Sequence, residues 1–220
     1  MERRVRRMNL KKLVTAAVCT MLMAAVAFTA GCGGEKKSDK KVLKVGMECA
    51  YAPYNWSQTK ADGGAVKIAG SNEYAYGYDV MMAKKLADSM GADLEIHKIE
   101  WDGLAPAVVS GKIDAAIAGM SITSKRKETV DFTKPYYYAT VVALVKKDSE
   151  QAKAQSVADL KGSVATSQLN TIWYDQIDQV PDVKKLPAID TVPGMIVALT
   201  SGKCNLIVTD IPTAKAAAFA

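Results

Sequence analysis

Short apolar runs alternate along this chain with stretches in which apolar residues recur at helical spacing. Val42–Gly46 reads as a strand, and the aromatic stretch Tyr51-Ala-Pro53-Tyr54-Asn-Trp56 as a loop. Residues 57–73 are polar and Gly-containing, the pattern of an excursion loop. From Asp79 the apolar positions Val80, Met81, Ala83, Leu86, Ala87 and Met90 follow a helical period, with Asp79 as the cap and Gly91 as the stop. Leu94, Ile96 and Ile99 suggest a strand, Gly103–Ser110 a helix closed by Gly111, and Ile113–Ala118 a buried strand. Val141–Val145 is a further strand, and residues 146–155 form a polar connector. The alternation then restarts: helix near Val157–Leu160, strand Ser163–Thr166, helix after Asn170, strand near Val183–Leu186, helix Gly194–Ser201, strand Cys204–Val208. Strands separated by helices predict parallel α/β layers.

Part of the pattern repeats. Residues 101–119 (WDGLAPAVVSGKIDAAIAG) align without gaps to residues 192–210 (VPGMIVALTSGKCNLIVTD), an offset of 91. Gly103/Gly194, Ala107/Ala198 and the triplets Ser110-Gly111-Lys112 and Ser201-Gly202-Lys203 are identical. Both copies read helix, Gly turn, Lys, buried strand. Helix-to-strand connections share some of this grammar, but one copy in each half fits two similar lobes joined near residue 146.

Before Val42 the pattern is different. Residues 1–12 are basic, Leu13–Phe28 is an uncharged apolar run, and Thr29-Ala30-Gly31-Cys32 closes it with small residues. That order describes an export signal. A membrane-spanning anchor is the rival, disfavoured by a run shorter than the roughly 20 residues a bilayer needs. The stretch resembles a bacterial lipobox, with Thr29 where Leu is more usual. It implies cleavage before Cys32 and lipidation of Cys32, followed by a polar tether to Lys41. The overall charge changes meaning accordingly. The chain carries 29 Lys+Arg against 23 Asp+Glu, a net charge of +6, but residues 1–31 contribute six of the bases and one acid. The remainder is near +1 and offers no polybasic face to nucleic acid. Cys19 leaves with the signal, and one remaining pair, Cys49 and Cys204, does not specify a disulfide. Both are expected as free thiols.

A family resemblance rests on the run Trp101-Asp102-Gly103-Leu104-Ala-Pro106, Ser110-Gly111-Lys112-Ile113-Asp114, Gly119-Met120-Ser121-Ile122-Thr123-Ser124-Lys125-Arg126, Asp131-Phe132-Thr133 and Pro135-Tyr136-Tyr137. Gly77-Tyr78-Asp79-Val80 and Tyr51-Ala52-Pro53-Tyr54 belong to the same pattern. Over roughly residues 42–220 the chain resembles the extracellular solute-binding proteins of polar amino-acid ABC transporters, bacterial solute-binding protein family 3. The resemblance implies a two-lobe, periplasmic-binding-protein-like (type II) α/β fold, with lobe 1 over 42–146 and lobe 2 over 147–220. Related proteins continue with a return crossing that completes the first lobe. The second lobe is therefore expected to be partial, the fold incomplete at its C-terminus, and residues 32–220 alone weakly stable and poor at binding.

A free amino acid brings a carboxylate and an ammonium out of water, and burying either unpaired costs several kcal/mol. Arg suits the carboxylate, because its planar fork bonds both oxygens. By resemblance Arg126 takes that role, although on its own it reads as one of three solvated charges in Lys125-Arg126-Lys127. The resemblance assigns the ammonium to the carbonyl of Gly119, the hydroxyl of Ser121 and the carboxylate of Asp210. Asp210 also reads as a cap for the helix beginning near Pro212. Thr171 matches a helix start that offers N–H groups to the ligand carboxylate. The preceding position is usually Gly and here is Asn170, which tolerates left-handed geometry. Tyr51 and Trp101 match aromatic walls, and Glu48 occupies the position that selects the ligand side chain. A carboxylate there favours a basic or amide-bearing amino acid.

The implied function is capture of a polar L-amino acid outside the membrane by lobe closure. Delivery to an ABC permease and its ATPase follows, with a lipid anchor and no nucleic acid, cofactor or metal. Catalysis finds little in the sequence: His97 is the single histidine, and no base accompanies Cys49. The alternatives on the same fold are a cyclohexadienyl-dehydratase-like enzyme and a ligand-sensing receptor module.

Overall fold

The computed structural model describes residues 40–218. The expected signal, Cys19, the expected lipidation site Cys32 and the tether as far as residue 39 lie outside the described residues. In the first half the elements are β1 (Val42–Met47), β2 (Ala50–Tyr51), β3 (Asn55–Gln58), β4 (Val66–Lys67), β5 (Tyr74–Tyr76), α1 (Tyr78–Met90), β6 (Asp93–Lys98), α2 (Leu104–Val109), β7 (Ala115–Ala116) and α3 (Ser124–Lys127). The second half has β8 (Val141–Leu144), β9 (Val164–Thr166), α4 (Ile172–Gln176), β10 (Lys184–Lys185), α5 (Val192–Thr200), β11 (Leu206–Asp210) and α6 (Ile211–Ala218).

Two parallel arrangements carry the fold. The first sheet has the order β6-β1-β7, all parallel. The second has the order β10-β9-β11-β8, in which only β8 is antiparallel. β8 precedes residue 146 in the chain yet hydrogen-bonds to β11, so the second sheet draws on chain from residue 141 onward. Helix α1 places Val80, Ala83 and Ala87 on its inner face against Val45, Met47, Ile68 and Ile96. Gly91 closes it in left-handed geometry at φ 63°, where Gly carries no Cβ penalty. The second core gathers Leu160, Ala165, Ile177, Met195, Leu199, Leu206 and Ile207, and also takes in Tyr51 and Tyr54 from the first half. Each of the buried Leu, Ile and Met side chains among these contributes about 1.5–3 kcal/mol.

Several local expectations change. The aromatic loop and the excursion after it form a four-stranded antiparallel sheet, order β2-β3-β5-β4. Its strands are two to four residues long. Trp56 and Tyr76 meet edge to face across β3 and β5 at 5.0 Å, a cross-strand pair that the polar composition concealed. The stretch Ile113–Ala118 is strand only at Ala115–Ala116, because β1 pairs it along one side. Val157–Leu160 is a 3-10 turn, too short to propagate as an α-helix. Asp79 is not the cap of α1: Gly77 holds that position, and the Asp79 side chain turns into the protein. Cys49 and Cys204 are free and buried, in separate cores.

Candidate functional site

The two halves share a register. β1 pairs with β7 at Val45–Ala115 and Gly46–Ala116, and β9 pairs with β11 at Ala165–Leu206 and Thr166–Ile207. Ala115/Leu206 and Ala116/Ile207 are the very positions that the 91-residue echo equates. The pairing extends the equivalence to the neighbouring strands, where Val45 matches Ala165, an offset of 120. Glu48 then corresponds to Gln168, Tyr51 to Thr171 and Gly119 to Asp210. All six lie at or just beyond the carboxyl ends of parallel strands, where open α/β sheets gather their ligand groups.

Residues of these two sets meet across the junction, one pair of them equivalent. Gln168 Nε2 donates to Glu48 Oε1 and Oε2 at 3.0 and 3.1 Å, and to the carbonyl of Asp190 at 2.9 Å. Tyr51 Oη donates to Asp210 Oδ2 at 2.5 Å. A second group of contacts converges on Asn170, whose φ of 54° puts it in the left-handed region. Its carbonyl accepts from Arg126 Nη2 at 2.8 Å and from Trp101 Nε1 at 3.4 Å, and its Nδ2 donates to Asp102 Oδ1 at 2.9 Å. Arg126 Nη1 also donates to the carbonyl of Ser121 at 2.8 Å, with the guanidinium 5.2 Å from the Trp101 ring centre.

Glu48, Tyr51, Trp101, Gly119, Ser121, Arg126 and Thr171 line one cavity of about 20 Å³, together with Gln168, Ile172 and Trp173. Asp210 stands apart from these seven, on a neighbouring cavity of about 300 Å³ that shares Tyr51, Gly119 and Ser121. The smaller space holds on the order of one water molecule. Admitting an amino acid therefore requires the contacts of Asn170 and Gln168 to part from Arg126 and Glu48. Thr171 caps α4, accepting from the N–H of Tyr174 at 3.3 Å, while its hydroxyl donates to Gln168 O at 2.7 Å. Asp210 Oδ1 accepts from the N–H of Thr213 at 2.8 Å, so the capping role is present alongside the bond to Tyr51.

Burial sets the electrostatics. Glu48 is 3% exposed, and desolvation pushes its carboxyl up to about 7, with Gln168 opposing and Glu100 and Asp102 adding. Desolvation lowers Arg126 from its ordinary range, and Asp175 opposes this. Burial raises the Cys49 thiol to about 12, which removes it as a thiolate nucleophile. His97 Nε2 lies 2.6 Å from Glu95 Oε1 on β6, an ion pair only with the ring protonated.

Gln168, Trp173, Ile172 and Ala118 join this cavity without having been singled out from the sequence. Gln168 was findable: it stands three residues past Ala165 as Glu48 stands three past Val45, once the strand register is known.

Residues 43–186 match the family described as bacterial extracellular solute-binding proteins, family 3. The chain belongs to that family. It is 30% identical over 202 residues to ABC transporter arginine-binding protein 1 of Escherichia coli (strain K12), covering 91% of this chain and 72% of that one. It is 31% identical over 173 residues to a probable histidine-binding protein of Campylobacter jejuni, covering 79% of this chain and 61% of that one. Among solved structures, the ancestral amino acid-binding protein AncCDT-1, a precursor of cyclohexadienyl dehydratase, aligns with a TM-score of 0.69 at 32% identity. That alignment covers 81% of this chain and 74% of that one. The fold is thus the two-lobe α/β architecture of amino-acid-binding proteins, and the named relatives are binding proteins rather than enzymes.

Proposed function

We propose that this chain captures a polar amino acid with a basic side chain in the cleft between its lobes, outside the membrane. It then presents the ligand to an ABC permease whose ATPase drives import. The observation that carries the reading is the pairing, around one cavity, of the Arg126 guanidinium against Trp101 with the buried Glu48 carboxylate. Those two groups are complementary to an α-carboxylate and to a cationic side chain. Names of relatives that bind arginine and histidine support the basic class.

In this reading Arg126 exchanges the carbonyl of Asn170 for the ligand carboxylate, assisted by the helix start at Thr171. The ammonium goes to the Gly119 carbonyl, the Ser121 hydroxyl and Asp210, between the aromatic faces of Tyr51 and Trp101. Contacts that need both lobes bias the balance toward the closed form. The basic start, apolar run and Cys32 support export, cleavage before Cys32 and lipid anchoring to the cell membrane.

The test is a thermal-shift panel of the twenty amino acids on this chain, carried to high ligand concentration because residues 32–220 alone are expected to bind poorly, and repeated with Arg126→Ala. Arginine, histidine or a small related set should stabilise the protein, by about 2.7 kcal/mol at a hundredfold excess over Kd. The substitution should abolish the response. No response to any amino acid would overturn the reading, and turnover of a cyclic aromatic-amino-acid precursor would replace it with the dehydratase.

A further inference from the structure

Two residues of the first half bend the chain through left-handed geometry beside the candidate site: Cys49 at φ 56°, directly after Glu48, and Gly119 at φ 58°. Both turns are tied back to a single buried carboxylate. The N–H of Cys49 donates to Asn55 Oδ1 at 2.7 Å, and Asn55 Nδ2 donates to Asp79 Oδ2 at 2.7 Å. From the other side, the N–H of Gly119 donates to Tyr136 Oη at 2.9 Å, and Tyr136 Oη donates to Asp79 Oδ1 at 2.7 Å. Asp79 and Asn55 are both fully buried.

We infer that Asp79 is the positioning residue of the site: through Asn55 and Tyr136 it fixes the two turns that aim Glu48 and the Gly119 carbonyl. This rests on the amino-acid-binding reading for what the turns serve, but not for the geometry. Every hydrogen bond in the chain of five residues points toward Asp79. An ionised carboxylate accepts on both oxygens and donates nothing, so it dictates the direction of each link. It obliges Asn55 to spend its amide N–H inward, which leaves Oδ1 for Cys49. It obliges Tyr136 to spend its O–H inward, which leaves an oxygen lone pair for Gly119.

The backbone of Asp79 is itself fixed. Its N–H donates to the carbonyl of Tyr54 at 2.8 Å, and Gly77, at φ 127°, lets the chain pass so close that a Cβ there would lie 2.3 Å from the same oxygen. Burial raises the Asp79 carboxyl, and the hydrogen bonds from Tyr136 and Asn55 oppose that rise. The groups packed around it are Asn55 from β3, Tyr136 from the segment before β8, and the carbonyl of Tyr54.

The direction of the bonds provides the test. Asp79→Asn turns one acceptor into a donor, which then opposes either Asn55 Nδ2 or the Tyr136 hydroxyl. The exchanged pair Asn55→Asp with Asp79→Asn restores a consistent set: residue 55 accepts from both Cys49 and residue 79, and residue 79 still accepts from Tyr136. Amide hydrogen exchange at Cys49 and Gly119, with arginine titration, is measured on the full chain. Asp79→Asn should speed the amide on the opposed side, Cys49 or Gly119, at least tenfold and weaken arginine binding at least tenfold, and the exchanged pair should recover both properties to within threefold. Tyr136→Phe should speed Gly119 alone. Unchanged amides in Asp79→Asn, or an exchanged pair no better than the single variant, would overturn the inference. Should Asp79→Asn not fold, Tyr136→Phe and the exchanged pair decide the matter, and an exchanged pair that also fails to fold counts against it. A wild-type chain that binds no arginine while the exchange pattern holds sinks the ligand class and leaves the positioning role standing.

Discussion

The strand ends of the two halves are equivalent by register, yet they are held by different means. In the second half β9 and β11 each lead to a helix, α4 and α6, whose start is capped by a nearby side chain. Thr171 closes the turn after β9 by accepting from Tyr174, and Asp210 closes the end of β11 by accepting from Thr213. These ties span three residues, and only Asp210 adds a distant one, accepting on its other oxygen from Tyr51 of the first half. In the first half β1 leads into the small antiparallel sheet, and β7 leads to the turn at Gly119, so neither strand end has a helix of its own to cap. Its turns are held instead by side chains from β3, α1 and the segment before β8. Local caps make a half that tolerates change piecemeal, and a shared carboxylate makes one that does not.

The largest effect expected from this contrast concerns Glu48, since its counterpart Gln168 does not titrate. An unfolded Glu titrates near 4.5 and the folded Glu48 near 7, so between these values the folded state holds a proton that the unfolded state has released. Stability from this group is greatest below 4.5, falls as pH rises through 7, and is flat above, a total on the order of 3 kcal/mol. Glu48→Gln should remove that slope in chemical denaturation measured from pH 4.5 to 8. A wild-type and variant difference that does not change with pH would break the contrast. Binding of a cationic amino acid should run the other way, strengthening as pH rises through 7, because the ionised carboxylate is the form that attracts it.

Gly119 and Asp210 form the next test. At Gly119 the left-handed φ and the Tyr51 ring, whose Cε1 lies 2.7 Å from where a Cβ would stand, both exclude a side chain. The equivalent Asp210 carries one without such a conflict. Gly119→Ala should cost about 2 kcal/mol, seen as a lowered melting temperature. A neutral result would mean that Tyr51 yields and that the two ends are less different than their geometry.

How much of this was legible in the sequence follows from range. Helix α1 and strands β1, β6 and β11 were readable, because their periodicity lies within five to thirteen residues. The echo over 101–119 and 192–210 even carried the sheet register in advance, since its copies pair identically with β1 and β9. The antiparallel sheet was not readable: its strands are short, and its Trp56–Tyr76 pair joins positions twenty apart. Seven of the eight ligand-binding expectations line one cavity, but the resemblance supplied them, because Arg126 alone reads as a surface charge. Asp79 read as a helix cap because a cap is a local inference. Its actual partners, Asn55 and Tyr136, come from segments that only the fold brings together.

The smallest expected effect is at Thr171, and it is the sharpest test of locality. Thr171→Ala removes the acceptor for the Tyr174 N–H and the donor to Gln168 O, both within three residues. Loss of such a cap costs about 1 kcal/mol. Because α4 is five residues long and packs through Trp173, with Ile177 buried just after its end, the change should stay at its first turn. Amide exchange should rise at Tyr174 and nowhere in the first half, and Thr171→Ser should restore it, since a serine hydroxyl caps as well. Protection lost at Cys49 or Gly119 in Thr171→Ala would show the two halves to be coupled through Gln168 and Glu48. The division into locally capped and centrally tied strand ends would then have to be replaced by a single network spanning both.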